Sequence, residues 1–299
     1  MKGLPGYLLY RALSGLFGLL PARAVRGTGR GVGFGLSFVA GKRMELLRRH
    51  MRRVLGTEPT DEQVTDAARE MFASYGRYWA EVFWFRPRRR RWMLDKATTT
   101  GLDDVYAAQQ AGRGVVLVSP HMGNYEVAGA VAEELKLRVL SVAEDLPNAR
   151  ITDWFVRTRG AFGIDILIHG RGSVMGGLVN ALNGGQVVAL VADRDVSGRG
   201  VEVEFFGEMT TMPAGPFSLV ELTGSALFPV GCYFDGAGYR FEVHPELPLP
   251  HADERSERIR LGTQALAEEF EAIIREKPTD WHLFQPNWPS DAVLREPSE

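Results

Sequence analysis

The sequence has few of the residues from which disulfides and many metal sites are built. Its 299 residues include one cysteine, Cys232, which excludes an internal disulfide and any zinc site made of several cysteines. It contains neither a G-x-G-x-x-G nor a Walker pattern, so no nucleotide-phosphate loop is indicated. Hydrophobic residues make up 45% and charged residues 24% of the chain, which excludes a disordered or low-complexity protein. The length allows one large domain or two.

A long, uninterrupted hydrophobic run is also missing. Leu4–Leu20 is mostly apolar, but Pro5 and Arg11 interrupt it, and a membrane-spanning helix needs about 20 apolar residues. A signal peptide is an alternative interpretation that Arg11 and the arginines after it disfavour. The leucines of this segment instead recur at helical spacing and predict one apolar stripe: Leu9, Leu13, Leu16 and Leu20. The next apolar segment, Gly31–Ala40, is too short to span, and its glycines make it a poor isolated helix.

The charge is unevenly distributed along the chain. Residues 1–53 carry 11 basic side chains and one acidic one, a net charge of +10, so the remaining residues carry −12 of the total of −2. A basic amphipathic segment suits interfacial binding to an anionic membrane surface. The alternative is that the leucine stripe packs on the protein and the arginines are solvated. A second basic cluster, Arg86–Trp92, has flanking tryptophans that suit a membrane interface. No nucleic-acid-binding motif accompanies it, and no nucleic-acid partner is expected.

Two regions are predicted along the chain. Residues 1–96 are predicted as a helical, basic, membrane-associating region, with a capping box at Thr60 and Gln63. Residues 97–299 are predicted as an α/β domain continuous with it, because short apolar runs alternate with helical stretches. The predicted strands are Val115–Ser119, Val139–Val142, Ile164–Ile168, Val187–Val191, Val201–Phe206, Leu227–Tyr233 and Tyr239–His244. A late helix is predicted over Ala265–Glu276. The expected fold class is therefore α/β, with a largely parallel mixed sheet flanked by helices.

The first of the alternating strands ends in a candidate catalytic motif. Ser119–Glu126 reads S-P-H-M-G-N-Y-E, and ligands of open α/β sheets bind beyond the carboxyl ends of the strands. His121 and Glu126 can meet if His121 lies in the turn and Glu126 in the first helical turn, with Gly123 providing backbone freedom. A carboxylate on one imidazole nitrogen leaves the other as a base, and the adjacent helix N-terminus could stabilise an oxyanion. The alternative is a hydrogen-bonded structural histidine.

Other candidate sites are weaker. Four further histidines are interpreted as structural: His50, His169, His244 and His251. No His, Asp or Glu spacing predicts a metal site. Ser119 lacks the G-x-S-x-G context of a nucleophile elbow.

The motif and the blocks that follow it resemble a known family. His121–Glu126 is similar to the H-x4-D/E signature of membrane glycerolipid and lipid A-type acyltransferases. Further blocks follow in the order of that family: Glu144 and Arg159, 192–195, 200–207, 212–216, 223–224 and 281–288. The resemblance covers about residues 45–290 and is strongest to the branch that acylates phosphatidylinositol mannosides, because of Gln285–Trp288. That branch usually has Trp and Asp where this chain has Tyr125 and Glu126, and it can carry Glu where this chain has Asp193.

The resemblance implies a role for each of these residues. His121 is expected to deprotonate a mannose hydroxyl, Glu126 to orient the imidazole, and Asp193 to be a second acidic partner. Arg159 is expected to contact the anionic head group of the acceptor, with support from Glu144 unless these two form a simple ion pair. Arg194 and Asp195 are expected to help bind substrate.

The resemblance also implies partners and a location. Acyl-CoA is the expected acyl donor, a phosphatidylinositol mannoside or related glycolipid the acceptor, and no cofactor or metal is expected. The protein is expected to be peripheral on the cytoplasmic face of the plasma membrane. Three alternatives stay open: acylation of another lipid or lysophospholipid, thioester or lipid hydrolysis by the same histidine, and a non-catalytic lipid-binding protein.

Overall fold

Helices form the first third of the chain. The computed structural model describes residues 4–294, apart from residue 197 and the side chain of Glu133. The helices before the first strand are α1 (Leu4–Phe17), α2 (Ala22–Ser37), α3 (Lys42–Leu55), α4 (Asp61–Trp84) and α5 (Arg90–Leu94). The predicted capping box at the start of α4 is confirmed, since the Thr60 and Gln63 side chains each bond the other's backbone N–H. Residues 1–3 and 295–299, the outer ends of the two predicted regions, lie outside the described residues.

The glycine-rich segment predicted to be a poor isolated helix is helical because it is not isolated. It lies in α2, which packs backbone to backbone against α4. A Cβ on Gly29 would stand 2.5 Å from the carbonyl oxygen of Gly76, and a Cβ on Gly33 would stand 2.1 Å from that of Phe72. The small residues therefore allow a close approach that larger side chains would block, and tertiary packing compensates for low helix propensity.

The sheet is mixed and mostly parallel, as predicted. Its order is β1-β9-β8-β2-β5-β3-β4, and β8–β9 is its antiparallel pair. Its strands are β1 (Ala97–Thr100), β2 (Val115–Ser119), β3 (Val139–Ala143), β4 (Ile164–Ile168), β5 (Val187–Val191), β8 (Ala226–Asp235) and β9 (Gly238–Val243). The predicted strand at residues 201–206 belongs instead to a separate antiparallel hairpin, β6 (Val201–Phe205) and β7 (Glu208–Met212).

Helices cover both faces of the sheet. They are α6 (Leu102–Gln110), α7 (Tyr125–Glu134), α8 (Ala149–Gly160), α9 (Val174–Asn183), α10 (Gly215–Thr223) and α11 (Arg255–Glu276). Successive strand residues contribute to two hydrophobic clusters, as a sheet buried on both faces requires. Val116, Val188 and Leu227 join the larger cluster, which also contains Met71 and Phe72 of α4. The helical first third and the sheet thus share a core.

One predicted boundary is wrong. The last long helix, α11, begins at Arg255, ten residues before the predicted start at Ala265. Its first turns are rich in charge and bury only Ile259, Gly262 and Thr263. Gly262 lies against the ring of Phe217 on α10, so its packing depends on a distant partner and leaves little apolar periodicity in the local sequence.

The predicted leucine stripe of α1 is divided between two surroundings. Leu13 and Leu20 pack against the core, whereas Leu9 is 58% and Leu16 59% exposed. The core-facing side of α1 is largely aromatic, and Tyr10 contacts the rings of Phe83 and Trp154. Within residues 4–294, no helix combines the length and the apolar composition needed to cross a bilayer.

Candidate active site

Two catalytic candidates lie at the carboxyl edge of the parallel strands. β2 and β5 are neighbours, and Ser119 pairs with Val191 at their ends. His121 follows β2 and Asp193 follows β5, each two residues beyond its strand. The parallel register therefore brings together two side chains that are 72 residues apart in sequence. The site lies where ligands of open α/β sheets bind.

Asp193 is the carboxylate that holds the His121 ring. His121 Nδ1 lies 2.5 Å from Asp193 Oδ1, and the His121 backbone N–H donates to Oδ2 at 3.0 Å. Trp281 Nε1 also donates to Oδ2, at 2.8 Å. Burial opposes the charge of Asp193, but the charge of His121 and the hydrogen bonds from His121 and Trp281 hold its pKa below the usual value. An ionised Asp193 places the proton on Nδ1 and leaves Nε2 as the free base.

The turn that carries His121 is anchored to the segment just after α11. The His121 carbonyl accepts from the backbone N–H of His282 at 2.6 Å, and the Gly123 N–H donates to the Asp280 carbonyl at 2.8 Å. Gly123 has φ +55°, and a Cβ there would stand 2.1 Å from the carbonyl oxygen of Cys232. Glycine is therefore required at this position for conformation and for space. The His121 side chain remains 30% exposed and can reach a substrate.

Glu126 contacts Arg159, and this corrects the predicted pairing of Glu126 with His121. Glu126 lies in the first turn of α7 as predicted, but its oxygens accept from Arg159 Nε at 2.9 Å and Nη2 at 2.6 Å. Tyr78 donates to the same carboxylate at 3.3 Å. Although burial opposes its charge, the charge of Glu126 and these bonds raise the pKa of Arg159. Asp193 occupies the position beside Nδ1 of His121, and Glu126 instead links α7 to α8 through its bonds with Arg159.

The remaining predicted substrate-binding residues lie on neighbouring loops. Glu144 follows β3 and pairs with Arg194 at 3.3 Å, so the predicted alternative of a Glu144–Arg159 ion pair is wrong. Arg159 pairs with Glu126 of α7, so it is not the partner of Glu144. The Asp195 carboxylate accepts the Gly200 N–H at 2.7 Å and braces the loop before β6. Glu144, Arg194 and Asp195 thus surround the carboxyl ends of β3 and β5, beside Asp193.

A buried charged network supports the turn from below, and sequence reasoning missed it. Glu81 of α4, 1% exposed, accepts from Arg26 and Arg77 at 3.0 Å each. Its other oxygen accepts from the Asn124 side chain at 2.7 Å. Asn124 is the residue just before α7, so α2 and α4 fix the start of that helix. A carboxylate inside the apolar stretch at 78–85 was the sequence signal that could have indicated it.

Trp281 and His282 also contact this site, although no individual role was predicted for them. Trp281 holds Asp193, and Ser74 Oγ lies 3.0 Å from His282 Nε2 and donates to Asp280 at 2.9 Å. Burial, with the charge of His121 second, lowers the pKa of His282 to about 3. The ring is therefore neutral. The block at 281–288 was identified from the sequence only by its family resemblance. Its contact with Asp193 joins residues that are far apart in sequence, so no local pattern could predict it.

Two further histidines have partners of their own. His50 is fully buried and contacts the Leu283 carbonyl and Asp291. His244 pairs with Glu269 at 2.6 Å. In the part of the chain that the structure describes, no group of three His, Cys, Asp or Glu side chains is arranged to hold a metal ion. The arrangement at His121 can instead accept a proton from a hydroxyl at Nε2.

Comparison with known proteins connects this geometry to a family. A model of the bacterial lipid A biosynthesis acyltransferases matches residues 4–290, nearly the whole chain. The match includes His121, Asp193 and the segment from Trp281 to Trp288 that anchors them.

Individual relatives are similar over most of their length. The chain is 38% identical to a phosphatidylinositol mannoside acyltransferase of Mycolicibacterium smegmatis, covering 83% of this chain and 80% of the relative. It is 39% identical to one of Mycobacterium tuberculosis, covering 83% and 78%. A lipid A biosynthesis palmitoleoyltransferase of Escherichia coli is 29% identical, covering 71% and 70%.

Proposed function

This chain belongs to the bacterial lipid A biosynthesis acyltransferase family, whose members transfer acyl groups to lipids, and we propose that it acylates a phosphatidylinositol mannoside. In this proposal a long fatty acyl group moves from acyl-CoA to a mannose hydroxyl of the glycolipid. The 38–39% identity to two mycobacterial phosphatidylinositol mannoside acyltransferases supports this acceptor. The observation that carries the proposed chemistry is the His121–Asp193 pair at the carboxyl edge of the sheet.

The proposed reaction uses His121 as a general base. Nε2 takes the proton of the mannose hydroxyl as its oxygen attacks the thioester carbonyl carbon of acyl-CoA. The tetrahedral intermediate then collapses, the C–S bond breaks, and the proton passes from Nε2 to the leaving CoA sulfur. Asp193 keeps the proton on Nδ1 and stabilises the imidazolium that forms between these steps. The first N–H groups of α7, which begins at Tyr125, are the proposed donors to the oxyanion.

The acceptor head group is proposed to lie over the loops beside Asp193. Glu144, Arg194 and Asp195 provide carboxylate and guanidinium groups suited to sugar hydroxyls and phosphate. Arg159 bonds Glu126 through Nε and Nη2, so Nη1 is the nitrogen proposed to reach the acceptor. The Glu126–Arg159 pair also positions the start of α7 against α8, which makes both residues part of the site without direct contact to His121.

The reaction is proposed to take place at the cytoplasmic face of the plasma membrane, with the protein bound peripherally. Both the acceptor and the acyl chain of the donor are amphiphiles. The net charge of +10 on residues 1–53 would attract anionic lipids. The exposed leucines of α1, among them Leu8 and Leu16, could contact the acyl region.

An acceptor panel tests the proposal. Purified protein is given palmitoyl-CoA with a phosphatidylinositol mannoside, a lysophospholipid, a lipid A precursor or no acceptor, and products are identified by mass spectrometry. We expect acylated mannoside as the main product. Transfer to the lysophospholipid or the lipid A precursor in preference would replace the proposed acceptor. Release of free fatty acid without acceptor, at the rate of transfer, would identify a hydrolase, and no turnover of palmitoyl-CoA in any of these mixtures would favour a non-catalytic lipid-binding protein.

A further inference from the structure

A cavity of about 380 Å³ lies between α1, the end of α4 and α8, outside the reaction centre. Arg11 of α1, Arg86 after α4 and Arg157 of α8 line it together. Arg157 is two residues before Arg159, a rotation of about 200° on a helix, so the two side chains leave α8 on different sides. Arg159 extends to Glu126, whereas Arg157 extends to this cavity.

The positive charges of the cavity are not neutralised by its walls. None of the described residues that line it is acidic. The charged neighbours of Arg86 include Arg88 and Arg11, and burial together with these two charges lowers the pKa of Arg86. The charges of Arg86 and Arg11 repel one another, and an anion bound between them would reduce that repulsion.

The three arginines retain hydrogen-bond donors. Among the described residues, the guanidinium of Arg157 has no hydrogen-bond or ion-pair partner. Arg11 has one long contact, at 3.5 Å to the Tyr7 hydroxyl. Arg86 donates to the carbonyls of Phe83, Phe85 and Ser14, which uses part of its five N–H groups and braces α1 against α4.

Apart from the hydroxyls of Ser14 and Thr158, the other side chains that line the cavity are apolar, and the cavity adjoins an exposed apolar surface. Phe85, Trp154 and Phe162 are among its walls. At about 100° per residue, Arg11 lies about 60° from Leu8 around α1. Leu8 is 54% exposed, and Leu4, which lies about 20° from Arg11 around the same helix, is 36% exposed. The cationic cavity thus opens beside a leucine surface, as a ligand with a charged head and an apolar tail requires.

We propose that the Arg11–Arg86–Arg157 cavity binds the phosphate head group of an anionic membrane phospholipid, with the acyl chains lying along the exposed leucines of α1. Guanidinium groups suit the phosphodiester, and the aromatic walls suit the glycerol backbone. The phospholipid is bound in addition to the substrates. The site would hold α1 and α8 at a fixed depth in the membrane surface, so it goes beyond the general attraction of a basic segment.

Isothermal titration calorimetry with a short-chain lipid below its critical micelle concentration tests the site apart from any bilayer and from turnover. Dihexanoylphosphatidylglycerol is titrated into wild type, Arg157→Gln and Arg11→Gln, with Arg150→Gln as the matched control. Arg150 is exposed on the same helix and does not line the cavity, so it removes the same charge elsewhere. Arg86 is left unchanged because it braces α1.

We expect saturable binding by wild type and by Arg150→Gln, and a loss of affinity of about 10-fold or more in Arg157→Gln and Arg11→Gln. Dihexanoylphosphatidylcholine, in which a choline balances the phosphate charge, should bind more weakly to wild type. An equal loss in Arg150→Gln would reduce the effect to bulk charge, and full competition by inorganic phosphate would indicate a free-anion site. Either result, or no binding by wild type, would overturn the proposal. Unchanged circular dichroism and melting temperature are required of every variant.

Discussion

At the scale of single residues, the proposed chemistry depends on which nitrogen of His121 carries the proton. Two donors, the His121 backbone N–H and Trp281 Nε1, point at Asp193 Oδ2 and require an acceptor there. The other oxygen, Oδ1, faces Nδ1. The two donors to Oδ2 thus fix the orientation of the carboxylate, and Oδ1 then fixes the tautomer of the imidazole.

This orientation predicts the effect of Asp193→Asn. The amide oxygen should take the Oδ2 position, so the NH2 group would face Nδ1 and force the proton onto Nε2. The free base would be lost, and we expect kcat to fall about 10²–10⁴-fold, the range that general-base catalysis contributes. Steady-state acyl transfer measures it. Asp165→Asn, at an exposed position on β4, is the control and should retain activity. A kcat within a factor of three of wild type for Asp193→Asn would refute the role of the pair.

The lowered pKa of His282 predicts that the stability of the protein depends on pH. Its pKa of about 3 in the folded protein, lowered by burial and secondly by the charge of His121, lies below the value of about 6.5 expected for an unfolded chain. Between these values the unfolded chain binds a proton that the folded chain does not. The free energy of unfolding should therefore fall as the pH drops from about 6.5 towards 3, by up to about 1.4 kcal/mol per pH unit from this group.

Urea unfolding of His282→Gln across that range isolates the contribution of this group. The glutamine amide can donate to Ser74 Oγ as Nε2 of the imidazole does, but it does not titrate. The variant should lose stability less steeply than wild type as the pH falls, while His251→Gln, at an exposed position, should follow wild type. A curve for His282→Gln parallel to wild type would contradict the neutral buried state of this ring.

At the scale of secondary-structure elements, α2 and α4 form the platform under the catalytic turn. Their glycines bring the two helix backbones into contact, and Glu81 then joins Arg26 of α2 to Asn124 before α7. A shift of α2 away from α4 would move Arg26 from Glu81. The helix pair therefore couples the N-terminal third to the position of His121.

Glycine substitutions separate this close packing from helix propensity. A Cβ on Gly76 would stand 2.2 Å from the Gly29 carbonyl oxygen, so Gly76→Ala should lower the free energy of unfolding by about 1–3 kcal/mol. Gly31→Ala is the matched control, because a Cβ there meets nothing within 4 Å, and it should be neutral or stabilising by up to about 1 kcal/mol. Urea denaturation measures both. If both substitutions raised the free energy of unfolding by the same amount, the backbones of α2 and α4 would not be in contact.

Elements with local signals were predictable from the sequence. The strands Val115–Ser119, Ile164–Ile168 and Val187–Val191 were predicted with the bounds that the structure shows, because each is a short apolar run. The capping box of α4 was also predictable, because Thr60 and Gln63 lie three residues apart in the sequence. α2 and the first turns of α11 were not, since their stability depends on glycine contacts with distant partners and not on local periodicity.

At the scale of the whole molecule, the reaction centre joins groups that are far apart in sequence. The turn at His121 could be located from its place after a strand, but its carboxylate partner depended on the order of β2 and β5 in the sheet. The expected contact of Asp193 with His121 is present, whereas two other predicted contacts are replaced. Glu126 pairs with Arg159 and not with His121, and Glu144 pairs with Arg194 and not with Arg159. Residue types and the family resemblance were enough to find the candidates, whereas the topology of the sheet decides how they pair.

The basic first 53 residues also acquire a more specific interpretation at this scale. Several of their arginines are structural: Arg26 bonds Glu81, and Arg53 bonds Glu208 and Asp291. The charge excess is therefore not one solvated face. Arg11, by contrast, lines the cavity between α1 and α8, where we propose that a phospholipid binds.

Acyl transfer by His121→Ala tests the central claim most directly. Purified wild type and His121→Ala are incubated with palmitoyl-CoA and a phosphatidylinositol mannoside, and the acylated glycolipid is quantified by mass spectrometry, with His251→Ala as the control. We predict that wild type and the control form the product. His121→Ala, folded by circular dichroism, should be at least about 10²-fold slower because the general base is absent. Product formation by His121→Ala at the wild-type rate would contradict the account.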